Sequence, residues 1–195
     1  MSAIKNKLLD TFAAWQDQRT IWILGGVIAL SLDIFSYAFF QKGLKLDPCE
    51  MCVYIRFSMI VIFIGAMIAA INPRVWVLKI IGYVTVIWAI VKGFLWSVHL
   101  EKMFWQSQAL AAGADPFAVG VESCSLFPTF PFHLPLDQWM PDVFQPQGIC
   151  GIDPWRFLGW NMAEMMFVVY AAFAVLVLLM LAGFIVRLLK SFGKK

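Results

Sequence analysis

The chain has 195 residues, of which 62% are hydrophobic and 14% charged, against roughly 25% charged in an ordinary soluble domain. Fifteen Lys and Arg against twelve Asp and Glu leave a net charge of +3. One water-soluble core of this size cannot hide so much apolar side chain, which excludes a soluble globular protein. The same balance excludes disorder, and the basic residues, scattered in small groups, make no stripe for nucleic acid.

Four stretches are long and apolar enough to cross a bilayer core of about 30 Å as helices. The expected order is a cytoplasmic N-terminus (1–20), a first span (21–41), an outer loop (42–52), a second span (53–71) and an inner loop (72–77). A third span (78–98), a long outer loop (99–158), a fourth span (160–186) and a tail (187–195) follow. The fold class this predicts is an all-α integral membrane protein, a four-helix bundle whose second outer loop is long and largely irregular. In the N-terminus, Ile4, Leu8, Leu9, Phe12 and Trp15 recur at helical spacing, as in a helix lying on the inner membrane face or packed on the protein itself. The first span is too long for a signal-peptide core and stays attached. Lys79 and Lys92 sit near the ends of the third span, within snorkelling reach of water. All nine prolines fall outside the spans, as helices require. Lys5, Lys7, Arg19, Arg74, Lys79, Arg187, Lys190, Lys194 and Lys195 gather on one side, which makes it cytoplasmic, with both termini there.

All four cysteines, Cys49, Cys52, Cys124 and Cys150, fall in the two outer loops, the distribution of disulfide chemistry in an oxidising compartment. Structural staples are one reading. The Cys49-Glu50-Met51-Cys52 ring, however, is too small to stabilise much through loop entropy, and its two-residue gap is the one used in thiol–disulfide exchange. A four-thiolate zinc cage is disfavoured because the second pair forms no knuckle, and no metal is expected. Pro48 turns the chain into the second span, so the pair stands at a helix start, where the positive end of the helix favours a thiolate. Arg56, one turn beyond Cys52, adds a full charge. Snorkelling to the headgroups and facing the bundle interior beside the redox pair are compatible readings of it, and Asp33 is a candidate to pair with it or to tune the ligand site.

The stretches Pro48-Cys49-Glu50-Met51-Cys52-Val53-Tyr54-Ile55-Arg56, Leu134-Pro135-Leu136-Asp137-Gln138-Trp139 leading to Gly148-Ile149-Cys150, and Trp155-Arg156-Phe157-Leu158-Gly159 resemble the DsbB family of bacterial quinone-linked disulfide oxidases, most closely its DsbI branch. The resemblance runs from about residue 22 to 188. It implies an inner-membrane thiol:disulfide oxidoreductase that re-oxidises a periplasmic DsbA-like thioredoxin-fold protein, DsbL-like for this branch, and passes electrons to ubiquinone or menaquinone. Carried over by position, Cys124 and Cys150 form the disulfide that meets the partner. Cys49 and Cys52 form the one that meets quinone, Cys49 and Cys150 join transiently, and Arg56 assists the quinone. His99 falls near the family's histidine by the quinone, without lying clearly on it. The segment before Cys124, with Ala109-Leu110-Ala111-Ala112-Gly113-Ala114, is longer than in the general family.

In the long loop, Leu126, Phe127, Phe130, Phe132, Leu134, Leu136, Trp139 and Met140 are broken by prolines into an aromatic ribbon that either grazes the headgroups or forms a small core. His133 reads as a solvated loop residue. Two other functions compete: a disulfide-stapled four-span scaffold or binding subunit without redox turnover, and a quinone oxidoreductase similar to vitamin K epoxide reductase. The latter places its quinone-facing Cys-x-x-Cys on a later helix.

Overall fold

The computed structural model describes residues 11, 14–120, 124–125, 127–152 and 155–192. Four long helices make up most of it: α1 (Arg19–Ser36, continued by a π-helical segment Tyr37–Gly43), α2 (Glu50–Ile71), α3 (Trp76–Ala111) and α4 (Met162–Phe192). Each is long and apolar enough to cross a membrane, and together they form the predicted four-span, all-helical architecture. Most of the expected amphipathic N-terminus lies outside the described residues.

Helix α2 is the centre of the bundle. It packs on both α1 and α3, and α3 packs on α4. The core face of α1 is a single stripe of Trp22, Gly26, Ala29 and Asp33, recurring at helical spacing. Its other faces expose Ile23, Leu24, Val27, Ile28 and Phe35, the outward apolar surface of a helix meant for lipid. At one end of the bundle, α2 and α3 approach through Gly65, Ala69 and Gly82, while Ala66 lies against Gly26 of α1. A Cβ at Gly82 would lie 2.6 Å from that of Ala69 and 2.9 Å from the Gly65 carbonyl oxygen. Small residues at such a seam let backbones meet closely, which is how membrane helices gain packing energy where apolar burial alone gains little.

Lys79 does not snorkel as the sequence suggested: it is buried, its Nζ 2.5 Å from Asp17 Oδ1. Helix α3 also runs past residue 98 to Ala111, so the start of the expected long loop is helical. The longer segment before Cys124 is largely this extension. A left-handed turn at Gly113 and a short helix, Pro116–Val119, follow it. Among the described residues, the remainder of the loop carries single turns of helix at Pro131–His133, Leu136–Trp139 and Pro141–Phe144. Asn161 then starts α4 with a reciprocal cap: its Oδ1 accepts the Glu164 N–H at 2.7 Å, and Glu164 Oε2 accepts the Asn161 N–H at 2.8 Å.

Candidate functional site

Pro48 cannot continue a helix backwards, and the next residue, Cys49, takes an extended conformation and caps α2. The usual cap is a Ser, Thr, Asp or Asn oxygen. Here the Cys49 sulfur fills the role, accepting the Cys52 N–H at 3.3 Å. Cys49 is buried and Cys52 half-buried. Neither is joined in a disulfide in this structure, where the sequence resemblance implies a bond between them. A hydrogen bond to the Cys52 side chain, and then burial, push the Cys49 thiol well above its ordinary range, against the smaller pull of the Cys52 and Met51 backbone groups.

Arg56 is buried, 6% exposed, and faces inward. Its Nη1 donates to Val143 O at 2.6 Å and to Gln41 Oε1 at 3.1 Å. Its Nε lies 3.5 Å from Asp33 Oδ1 with no hydrogen-bond partner, and its guanidinium sits 5.5 Å from the Tyr37 ring centre. The π-helical segment explains how α1 supplies two of these contacts. Residues eight apart on an α-helix stand about 80° apart around the axis. The wider π turn delays that rotation and brings Gln41 back above Asp33, so that both meet Arg56. Gln41 Nε2 also donates to Asp142 O at 2.7 Å, tying this cluster to the long loop.

The long loop reaches the same place from the other side. Cys124 and Cys150 are joined in a disulfide with Cα atoms 6.0 Å apart. That bond uses two of the four sulfurs and leaves no four-thiolate cage. The N–H groups of Gln147 and Gly148 donate to Pro48 O at 3.0 and 3.1 Å, and only a glycine at 148 fits, because a Cβ there would meet the Asp47 carbonyl oxygen. Gly151, with φ of +81°, lies against the Met103 carbonyl, and its own carbonyl accepts from Ser107 Oγ at 2.5 Å. Cys150 is thus held between the first loop and α3. On the other arm, Cys124 Sγ is 3.9 Å from Met103 Sδ. Beside it, Ser125 N–H donates to Glu50 Oε2 at 2.6 Å, Thr129 N–H donates to the Tyr54 hydroxyl at 2.8 Å, and that hydroxyl donates to Glu50 Oε1 at 3.0 Å.

Between these elements lies a cavity of about 710 Å³, lined by Asp33, Gln41, Cys49, Cys52 and Arg56 on its polar side and by Leu32, Phe35, Phe39, Phe40, Ile55, Met59, Phe104, Met166 and Val169 elsewhere. Its size is that of a small-molecule site, and its walls are largely apolar with a few convergent polar groups. The residues fit a quinone: apolar walls for ring and tail, a buried guanidinium for an oxygen, and a buried Arg56 Nε donor still unspent. His99 is half-buried on α3 and does not line the cavity. His133 is exposed, as expected. The aromatic ribbon divides its work. Phe130 is buried against Tyr54, Phe57 and Phe144, whereas Phe127 and Trp139 are exposed.

Sequence reasoning missed Gln41, Glu50, Tyr54, Gly148 and Gly151. Glu50 carried a signal, an acid inside an otherwise uncharged Cys-x-x-Cys, and Tyr54 and Gly148 stand in the stretches that carry the resemblance, but none had an assigned role. Gln41 and Gly151 gain their roles from partners far along the chain.

Comparison with known proteins gives concordant matches. The family model described as "Disulfide bond formation protein DsbB" matches residues 18–180. The protein-disulfide oxidoreductase DsbI of Salmonella typhimurium is 42% identical over 151 residues, covering 77% of this chain and 65% of its own length. The putative protein-disulfide oxidoreductase DsbI of Campylobacter fetus subsp. fetus is 43% identical over 150 residues, 77% of this chain and 67% of its own. That of Escherichia coli O6:K15:H31 is 42% identical over 151 residues. The chain thus spans about two thirds of the length of the curated relatives it matches.

Proposed function

The chain belongs to the DsbB family of disulfide bond formation proteins, and from that premise we propose that it is an inner-membrane protein-disulfide oxidoreductase that carries electrons from a periplasmic dithiol protein to membrane quinone. The observation that supports this most is the shared cavity: both cysteines of the exchange pair and the buried Arg56 line it. Cys150 is tethered beside their loop at Pro48. The partner is a DsbA-like thioredoxin-fold protein, DsbL-like for the DsbI branch, and the acceptor is ubiquinone or menaquinone. Both termini are cytoplasmic and the cysteine loops periplasmic.

In this reading a partner thiolate attacks Cys124 Sγ, the Cys124–Cys150 bond breaks, and Cys150 leaves as a thiolate. The partner's second thiol resolves the mixed disulfide. Cys150 attacks Cys49 of an oxidised Cys49–Cys52 pair, forming a transient Cys49–Cys150 bond and releasing Cys52 as a thiolate. Cys124 then closes again on Cys150, which returns Cys49 as a thiol. Quinone, when bound, takes up the electron pair and two protons. The chain's part is to hold Cys52 anionic, through the helix end and the Arg56 charge, while Cys49 keeps its proton. Gln41 and Val143 fix the guanidinium in place, and the apolar wall keeps water away. Electrons move with the bonds, so each dithiol oxidised leaves one quinone reduced.

The test is thiol counting in the purified, membrane-reconstituted protein with a reduced DsbA-like protein, with and without ubiquinone or menaquinone. The reading predicts one quinone reduced per partner disulfide formed. A thiol count that quinone does not change identifies a stapled scaffold instead.

A further inference from the structure

The two arms of the Cys124–Cys150 disulfide are held in different ways. Cys150 is held through main-chain groups on both sides, by Gly148 on Pro48 and by Gly151 against Met103 and Ser107. Next to Cys124, the helix-to-loop bonds end on two side chains of α2. Glu50 is 9% exposed and accepts from Ser125 N–H and the Tyr54 hydroxyl; Tyr54 in turn accepts from Thr129 N–H. Among the described residues, the bonds between Ser125 Oγ and Phe127 are local to the loop, Cys124 Sγ lies 3.9 Å from Met103 Sδ on α3, and farther upstream Gln106 Nε2 donates to Gly120 O at 2.8 Å. One of its carboxylate oxygens, Oε2, meets the loop neighbour of Cys124, and the other, Oε1, is held by the Tyr54 hydroxyl.

We propose that Glu50, supported by Tyr54, is a positioning residue that latches the Cys124 arm onto the Cys-x-x-Cys helix, and that the dithiol partner opens this latch when it takes Cys124. The inference rests on the division of roles between the two cysteine pairs given above. Attack on Cys124 draws Ser125 away and breaks its bond to Glu50, while Cys150 stays at the Pro48 loop beside Cys49. Unequal anchoring thus decides which cysteine moves with the partner and which remains to pass the electrons inward. When the partner departs, the latch closes and returns Cys124 to Cys150.

The experiment uses the full-length protein in lipid nanodiscs with Glu50→Gln and Tyr54→Phe, and Ser107→Ala as the variant that loosens the other arm. The first readout is the rate at which dithiothreitol opens the Cys124–Cys150 bond. The second is KM and kcat for a reduced DsbA-like protein with ubiquinone as acceptor. Loss of a charge-assisted hydrogen bond corresponds to roughly a tenfold change in the latch equilibrium. Opening therefore speeds up roughly tenfold in Glu50→Gln and by a smaller factor in Tyr54→Phe, where Glu50 keeps Ser125. In both, KM for the partner falls while kcat also falls. Ser107→Ala lowers kcat without lowering KM. An opening rate and KM equal to wild type in both α2 variants overturn the latch. Absence of quinone reduction by the wild-type protein overturns the underlying reading instead, and the opening rates still report on the latch. Tyr54→Phe leaves the motif untouched, so the question is answered even if Glu50→Gln fails to fold.

Discussion

At the far end of the bundle, α2 and α3 meet through Gly65, Ala69 and Gly82, with Trp22 edge-on to Tyr83 at 4.9 Å and closed by the Lys79–Asp17 pair. At the cysteine end, Phe130 and Phe144 are buried and Gly148 and Gly151 pack closely, and hydrogen bonds between side chains and main chain add further ties between helices and loop: Arg56 to Val143, Gln41 to Asp142, and Glu50 and Tyr54 to Ser125 and Thr129. A close-packed seam has one arrangement and loses stability with any added atom. Individual hydrogen bonds can be released and remade at about 1 kcal/mol net each. The comparison teaches that this fold keeps rigidity at one end and exchangeable contacts where disulfides must open and close. Substitutions should therefore cost turnover at the cysteine end and stability at the far end.

The largest separation is expected at Arg56. Arg56→Met removes the charge that favours the Cys52 thiolate and should lower quinone reduction by about 100-fold, with the Cys124–Cys150 disulfide still formed. Arg56→Lys should recover only part, because an ammonium cannot replace a planar set of donors that meets Gln41, Val143 and Asp33 together. Alkylation against pH checks the cause. In wild type, Cys52 should react first. Cys49, whose raised pKa keeps it a thiol at neutral pH, should follow only above the ordinary cysteine range. In Arg56→Met, the Cys52 curve should shift to higher pH.

A smaller effect, of the opposite kind, belongs to the seam. Gly82→Val places a branched side chain where even a Cβ would overlap Ala69. It should lower stability by about 1–3 kcal/mol, read as loss of folded protein on heating in detergent, with quinone turnover per folded molecule unchanged. A loss of turnover in the folded fraction would show that the two ends are coupled. Smallest of all is His99→Ala. Because His99 does not line the cavity, turnover should stay within about twofold, and a larger fall would bring α3 into the site.

How much of this was legible in the sequence follows the same division. Long apolar runs mark the first, second and fourth spans, and charges inside apolar runs, Arg56 and Asp33, lie buried here, as lipid offers them no partner. The Cys-x-x-Cys spacing names Cys49 and Cys52 as candidates for exchange, and the longer motif around them carries that expectation. Helix α3 was cut short at residue 98 because Glu101, Lys102, Gln106 and Gln108 end the apolar run, although they are good helix formers and carry the helix on to Ala111. Gln41 could not be assigned, since the π winding that turns it toward Arg56 is a matter of backbone hydrogen bonding and leaves no compositional trace. The partners of Glu50 and Tyr54 lie 75 residues away, beyond the reach of any local pattern. Phe127 and Phe130, three residues apart, look alike in sequence, yet only the second finds the pocket formed by Tyr54, Phe57 and Phe144.

The central claim is the order of electron flow, from the loop disulfide to the helix-capping pair to the cavity. It is tested most directly by quinone reduction in a variant with both Cys124→Ser and Cys150→Ser, supplied in turn with dithiothreitol and with a reduced DsbA-like protein. A small dithiol can reach the Cys49–Cys52 pair unaided, whereas the protein partner needs the loop. The account predicts that dithiothreitol still drives quinone reduction at a rate close to wild type and that the protein donor no longer does. Undiminished reduction by the protein donor would contradict it.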